Sequence, residues 1–188
     1  MIIKISPKII HKVSIFLKKG GLVICPTDTV YGFLADASNK KAVDKIFKIK
    51  KRPKSNPLSL FVKNFKMANR IAFINEKQAN ILNKFWPGKY TFRIKRKPKK
   101  DLYGVDKNTI AIRIPKYKFL NDLLNKINKP LVQTSVNISG KNPLNKINDI
   151  INTFEGLDIL IINGGNIKKG KPSKILDLTQ NTIKTLRK

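Results

Sequence analysis

Three stretches of the chain bring hydroxyls, cations and glycine close enough together to hold a polar ligand. Residues 26–32 read Pro-Thr-Asp-Thr-Val-Tyr-Gly. The hydroxyls of Thr27 and Thr29 and the phenol of Tyr31 can orient a small polar molecule, and Gly32 permits close backbone approach. Residues 48–57 read Lys-Ile-Lys-Lys-Arg-Pro-Lys-Ser-Asn-Pro. Cations at a helix C-terminus complement its dipole, and two prolines stiffen the loop that follows, which suits fixed cations aimed at a triphosphate. Residues 134–140 read Thr-Ser-Val-Asn-Ile-Ser-Gly. Hydroxyls and backbone N–H groups in a glycine-bearing turn form a nest for an anion. Taken singly, each stretch is equally compatible with an ordinary turn or a solvated helix end.

Composition removes other chemistries. Neither a G-x-x-x-x-G-K-[ST] loop nor G-x-G-x-x-G is present. The single histidine, His11, falls on an amphipathic helical pattern and is a poor triad base. The single cysteine, Cys25, excludes an internal disulfide, and with one histidine it excludes a His/Cys metal cluster. The formal charge is +29, from 40 basic and 11 acidic residues, so polyanions should be attracted in a salt-dependent way. Lysine, isoleucine and asparagine are so abundant, however, that AT-rich coding accounts for much of this charge. Arginine is then the informative cation. Only Arg52, Arg70, Arg93, Arg96, Arg113 and Arg187 are present, and an arginine kept among lysines marks a need for its planar, bidentate fork.

The elements that must position these residues follow from periodicity and punctuation. Ser6-Pro7 opens a helix whose apolar face is Ile9, Ile10, Val13, Phe16 and Leu17, and Gly20-Gly21 stops it. A buried strand over 22–25 leads into the first loop, and Asn39 caps a helix running to Lys50. Strands are predicted at 58–62, 90–94, 109–114, 131–134, 157–162, 175–178 and 182–186. Helices are predicted at 66–72, 76–85, 118–127 and 147–154. Strands alternating with helices predict an α/β (α+β) domain, a mixed sheet flanked by helices. No apolar run approaches the roughly 18 residues needed to span a bilayer. The first residues lack signal-peptide features, so the cytoplasm is the expected compartment.

Taken together and in order, the motifs resemble the threonylcarbamoyl-AMP synthase family, the YrdC-like proteins. Beside the three loops, they include Trp-Pro-Gly (86–88), Thr-Ile-Ala-Ile-Arg-Ile-Pro (109–115) and Pro-Ser-Lys-Ile-Leu-Asp (172–177). The resemblance implies one YrdC-like domain over 1–188, with a twisted sheet and a basic concave surface, and without the extra C-terminal domain of some members. It implies an L-threonylcarbamoyladenylate synthase, a nucleotidyltransferase joining L-threonine, bicarbonate or CO2, and ATP. A partner complex would then carry the threonylcarbamoyl group to adenosine 37 of tRNAs reading ANN codons. By motif position, Thr29, Tyr31, Arg113 and Ser173 are expected around threonine. Lys50, Arg52, Asn56, Thr109, Ser135, Asn137, Pro143 and Arg187 are expected around ATP, with Lys50 and Arg52 stabilising charge. No covalent nucleophile is implied. Mg2+ would ride on the phosphates, with no metal site in the protein itself.

The chain departs from the family pattern at Phe33, Phe61, Lys89, Gln133, Val136 and Lys174. Residues 168–171, Lys-Lys-Gly-Lys, are expected to form a rim, a lid or a solvated loop. A non-catalytic module for double-stranded RNA or tRNA is the alternative reading. A carbamoyl-adenylate site of the hydrogenase-maturation type is disfavoured by the short chain.

Overall fold

The computed structural model describes residues 1–98, 102–168, 170–180 and 182–187. Residues 99–101, and Lys169 of the 168–171 stretch, lie outside the described residues.

Among the described residues, ten strands form one sheet: β1 (Ile2–Lys4), β2 (Leu22–Cys25), β3 (Gly32–Asp36), β4 (Ser59–Phe61), β5 (Tyr90–Lys95), β6 (Thr109–Arg113), β7 (Leu131–Ser135), β8 (Ile159–Asn163), β9 (Lys174–Asp177) and β10 (Lys184–Arg187). Six helices among the described residues accompany them: α1 (Ile10–Lys18, entered through a 3-10 turn, Pro7–Ile9), α2 (Lys40–Lys50), α3 (Phe65–Ile71), α4 (Glu76–Phe85), α5 (Lys118–Ile127) and α6 (Ile147–Phe154). The strand order is β1-β8-β2-β3-β7-β4-β6-β5-β9-β10. Pairings are both parallel, as in β2 with β8, and antiparallel, as in β3 with β7. The predicted mixed α/β sheet is therefore observed.

Side-chain alternation sorts the strands into two faces. Leu22, Ile24, Phe33, Ala35, Leu60, Phe92, Ile94, Ile110, Ile112, Val132, Ile159 and Ile161 pack against α2, α3, α4 and α6 in one continuous core. On the opposite face, Val23, Cys25, Leu34, Phe61, Leu131, Leu160 and Ile162 pack under α1 and α5. That second layer takes no buried apolar residue from β5, β6 or β9. Past β4 the same face turns polar. Arg113 of β6 lies beside Phe61 of β4 in register, and Arg93 of β5 lies beside Asp177 of β9. The functional candidates sit where this helical layer ends and the sheet continues.

Two strands were not anticipated from the sequence. β1 pairs in parallel with β8 at the sheet edge. β3 follows the first loop directly, and all five of its residues are buried.

Candidate functional site

The loop between β2 and β3 is organised by Thr27. Its hydroxyl donates to the Val30 carbonyl (2.7 Å) and accepts from the backbone N–H groups of Thr29 (3.0 Å) and Val30 (3.2 Å). This is a local side-chain turn that needs no regular structure. The Thr27 proton being committed, the Thr29 hydroxyl donates in their 2.9 Å contact. A Thr29 lone pair in turn accepts a 3.1 Å bond from Arg113.

Arg113 is 1% exposed. Its Nε donates to the Gly88 carbonyl (2.8 Å), and its other terminal nitrogen meets the Asp28 carboxylate at 2.5 Å. The guanidinium lies over the Phe61 ring, 5.6 Å from its centroid. Burial pulls the Arg113 pKa down, and the Asp28 charge pushes it back up. A guanidinium has five N–H donors, so two remain for a ligand.

Lys50, the last residue of α2, is also 1% exposed. Its ammonium donates to the Ser135 carbonyl (2.6 Å), the Asn137 carbonyl (2.8 Å) and Asn137 Oδ1 (2.9 Å). All three donors are thereby spent on the third loop, at the end of β7 and just beyond it. Burial and the neighbouring Arg52 charge lower its pKa to about 7. The geometry makes Lys50 the pin beneath the third loop. Asn137 completes that pin, donating to the Ile138 (2.9 Å) and Lys141 (2.6 Å) carbonyls and accepting from the Ser135 hydroxyl (2.7 Å).

Arg52 is held in the second loop by the Asn56 (2.8 Å) and Pro57 (3.0 Å) carbonyls. Arg187, on the last strand, donates to the Ser173 carbonyl (2.9 and 2.7 Å) and to its hydroxyl (3.1 Å). Burial lowers the Arg187 pKa, and the Arg113 and Arg52 charges lower it further. Arg187 is thus repelled by two other guanidinium groups, an arrangement that an incoming anion relieves.

The three line a cavity of about 140 Å³ together with Thr29, Ser135 and Ser173, with Ser59, Gln133 and Ile175 among its other walls. Six of the twelve residues anticipated from the motifs therefore share one cavity. Lys50 and Asn137 stand directly behind it. Tyr31 is fully buried, its hydroxyl donating to the Gly165 carbonyl (2.7 Å) and accepting from Gly164 N–H (3.0 Å). It braces the site from the core and lines neither this cavity nor the next. Thr109 is held at the far end of β6 by Asp106 and Arg93. Asn56 is exposed, and Pro143 is half-buried in the third loop's continuation.

A second cavity of about 480 Å³ adjoins at Thr29 and Pro172. Its walls include Asp28, Lys89, Tyr90, Tyr117, Ile167 and Lys174, and Lys168, Gly170 and Lys171 form its rim. The 168–171 stretch therefore borders the site, as far as it is described.

Two departures from the family pattern find places here. Gln133 lines the smaller cavity and bonds Ser59, whereas Val136 points into the core. Sequence reasoning gave no role to Asp28 or Thr91. Thr91 is fully buried, with its hydroxyl 2.8 Å from that of Ser173. The available signal for Asp28 was an acid kept inside a polar loop of a chain otherwise dominated by lysine.

The chain is similar to known proteins over most of its length. A Methanocaldococcus jannaschii protein, named provisionally as a threonylcarbamoyl-AMP synthase, is 38% identical over 181 residues, which are 94% of this chain and 85% of that protein. A Pyrococcus abyssi threonylcarbamoyl-AMP synthase is 34% identical over 169 residues, covering 88% of this chain and 49% of its own length. The crystal structure of P. abyssi Sua5 complexed with L-threonine superposes with a TM-score of 0.91 at 31% identity, over 100% of this chain and 57% of that one. The chain thus spans about half the length of its P. abyssi relative. The Sua5/YciO/YrdC domain model, described as "Telomere recombination", matches residues 15–188. On that match and those identities, the chain belongs to the Sua5/YciO/YrdC family.

Proposed function

We propose that this chain is an L-threonylcarbamoyladenylate synthase, a nucleotidyltransferase that consumes L-threonine, bicarbonate or CO2, and ATP. The observation that carries this reading is the cavity itself, whose walls Arg113, Arg52 and Arg187 share with the hydroxyl-bearing side chains of Thr29, Ser135 and Ser173. Two anions of different shape, a carboxylate and a triphosphate, match that set. The names of the relatives above support the same reading. We take residues 1–188 as one YrdC-like domain carrying this activity in the cytoplasm; no helix among the described residues is long and apolar enough to cross a membrane.

In this reading the two uncommitted donors of Arg113 hold the threonine carboxylate, while Thr29 and Ser173 orient the rest of the amino acid. Arg52, Arg187 and Ser135 face the phosphates. Lys50 and Asn137 act through the loop they pin, and Tyr31 acts through the Gly164-Gly165 turn. Asn56, Thr109 and Pro143 belong to the surrounding nucleotide surface. The neutral threonine amine attacks carbon dioxide, loses a proton and becomes a carbamate. A carbamate oxygen then attacks the α-phosphorus, the bond to the bridging β-phosphate oxygen breaks, and pyrophosphate leaves. Negative charge grows on the α-phosphoryl and pyrophosphate oxygens, so positioning and fixed cations suffice for catalysis. Mg2+ would arrive on ATP. Among the described residues there is no cluster of three or more His, Cys, Asp or Glu side chains that could cage it. The adenylate would be passed to a complex that modifies adenosine 37 of tRNA.

The test is threonine-dependent pyrophosphate release from ATP and bicarbonate by the folded protein, with the adenylate identified by mass. Release that ignores threonine, or no release at all, overturns the reading.

A further inference from the structure

Asp28 lines the larger cavity, and its partner Arg113 lines the smaller one. Its side chain is 8% exposed, and that of its partner Arg113 is 1% exposed. One carboxylate oxygen takes the Arg113 guanidinium, and the other accepts the backbone N–H of Lys116 (3.1 Å), on the segment leading from β6 to α5. A buried guanidinium without a counter-charge is costly, so Arg113 cannot stay at this depth unless a carboxylate stays with it. Three acceptors, on Gly88 and on the adjacent residues Asp28 and Thr29, come from two separate parts of the chain and define the plane of the fork. Gly88 and Thr29 offer neutral oxygens. Among the described residues, Asp28 is the one charged acceptor of the fork, and Lys116 N–H holds its second oxygen.

We propose that Asp28 is the positioning residue for amino-acid recognition: pinned by Lys116, it sets the plane of the Arg113 guanidinium so that two N–H donors face the substrate carboxylate. This deepens the proposed function and rests on it. Asparagine at position 28 keeps the shape and one acceptor but removes the charge. Glutamate keeps the charge but displaces the fork by about one methylene, and misplacement of about 1 Å at a binding group costs roughly 100-fold.

Steady-state pyrophosphate release is measured with threonine varied at saturating ATP, then with ATP varied at saturating threonine. The proteins are wild type, Asp28→Asn and Asp28→Glu, with melting curves and threonine calorimetry in parallel. The expected result is a threonine KM raised roughly 10- to 100-fold in both variants, with the ATP KM within about twofold of wild type. If Asp28→Asn does not fold, Asp28→Glu, which retains the ion pair, carries the same expectation. A threonine KM and dissociation constant unmoved within about twofold, or equal rises for both substrates, overturn the proposal, because a merely structural role predicts no such split. A wild type with neither threonine-dependent turnover nor threonine heat overturns the proposed function together with this inference. Wild-type turnover with an unmoved Asp28→Asn overturns this inference alone.

Discussion

Arg113 shows why an arginine survives in a lysine-rich chain. Its fork reaches Gly88, Asp28 and Thr29 at once and still has two donors free. An ammonium offers three donors from one point and cannot do both. Arg113→Lys is therefore expected to raise the threonine KM roughly 10- to 100-fold while leaving the ATP KM within about twofold, read by steady-state kinetics. Equal changes for both substrates would remove the carboxylate role. Lys50 makes the opposite case, a lysine whose three donors meet three oxygens. Its pKa falls from 10.5 to about 7 in the folded chain. Between those values the unfolded chain holds the proton and the folded chain does not, so this group's contribution to stability rises with pH across that window. Its burial cost is fully present below about pH 7. Thermal melts from about pH 6 to about pH 10 should show wild type gaining on Lys50→Met as pH rises. A parallel pair of curves would mean that Lys50 stays charged. The arginine fork was legible from residue type alone, but the commitment of every Lys50 donor was not. Both carbonyls it meets belong to a loop some 85 residues away.

At the scale of elements, local chemistry was the most readable. Asn39 caps α2 as anticipated, with Oδ1 accepting Ala42 N–H at 3.0 Å. The helix then ends at Lys50, which sets where the pin under the third loop can stand. Asn39→Ala should cost about 1 kcal/mol, measured by urea unfolding, with no change in the denaturant slope. No loss of stability would mean that the cap is replaced by water. The boundaries of α4, α5 and α6 also match, because each carries a clear apolar stripe. β3 escaped notice because it is buried on both faces and shows no alternation for a pattern to catch. β1 escaped because it is three residues long and half exposed. Its place depends on β8, some 157 residues further on.

For the whole molecule, the decisive fact is that α1 and α5 cover only part of one sheet face. Beyond β4 that face carries Arg113, Arg93 and Thr91 instead of an apolar layer. The charge of +29 is a property of the entire surface, and the cavity uses only a small part of it. Binding to a generic duplex RNA should accordingly weaken at least about tenfold between 50 and 200 mM salt, followed by fluorescence anisotropy. RNA binding that persists across this range without any turnover would favour the non-catalytic module.

The sequence by itself determined the fold class, most helices, the polar loops and the arginines worth watching. These depend on residue type and short-range periodicity, which are local. Tertiary structure alone decided the rest. It sent Tyr31 and Val136 into the core, turned Lys50 to a loop far along the chain, and set Asp28 against Arg113. Each of these rests on strand order, and strand order is fixed by which faces bury together rather than by any neighbouring residue.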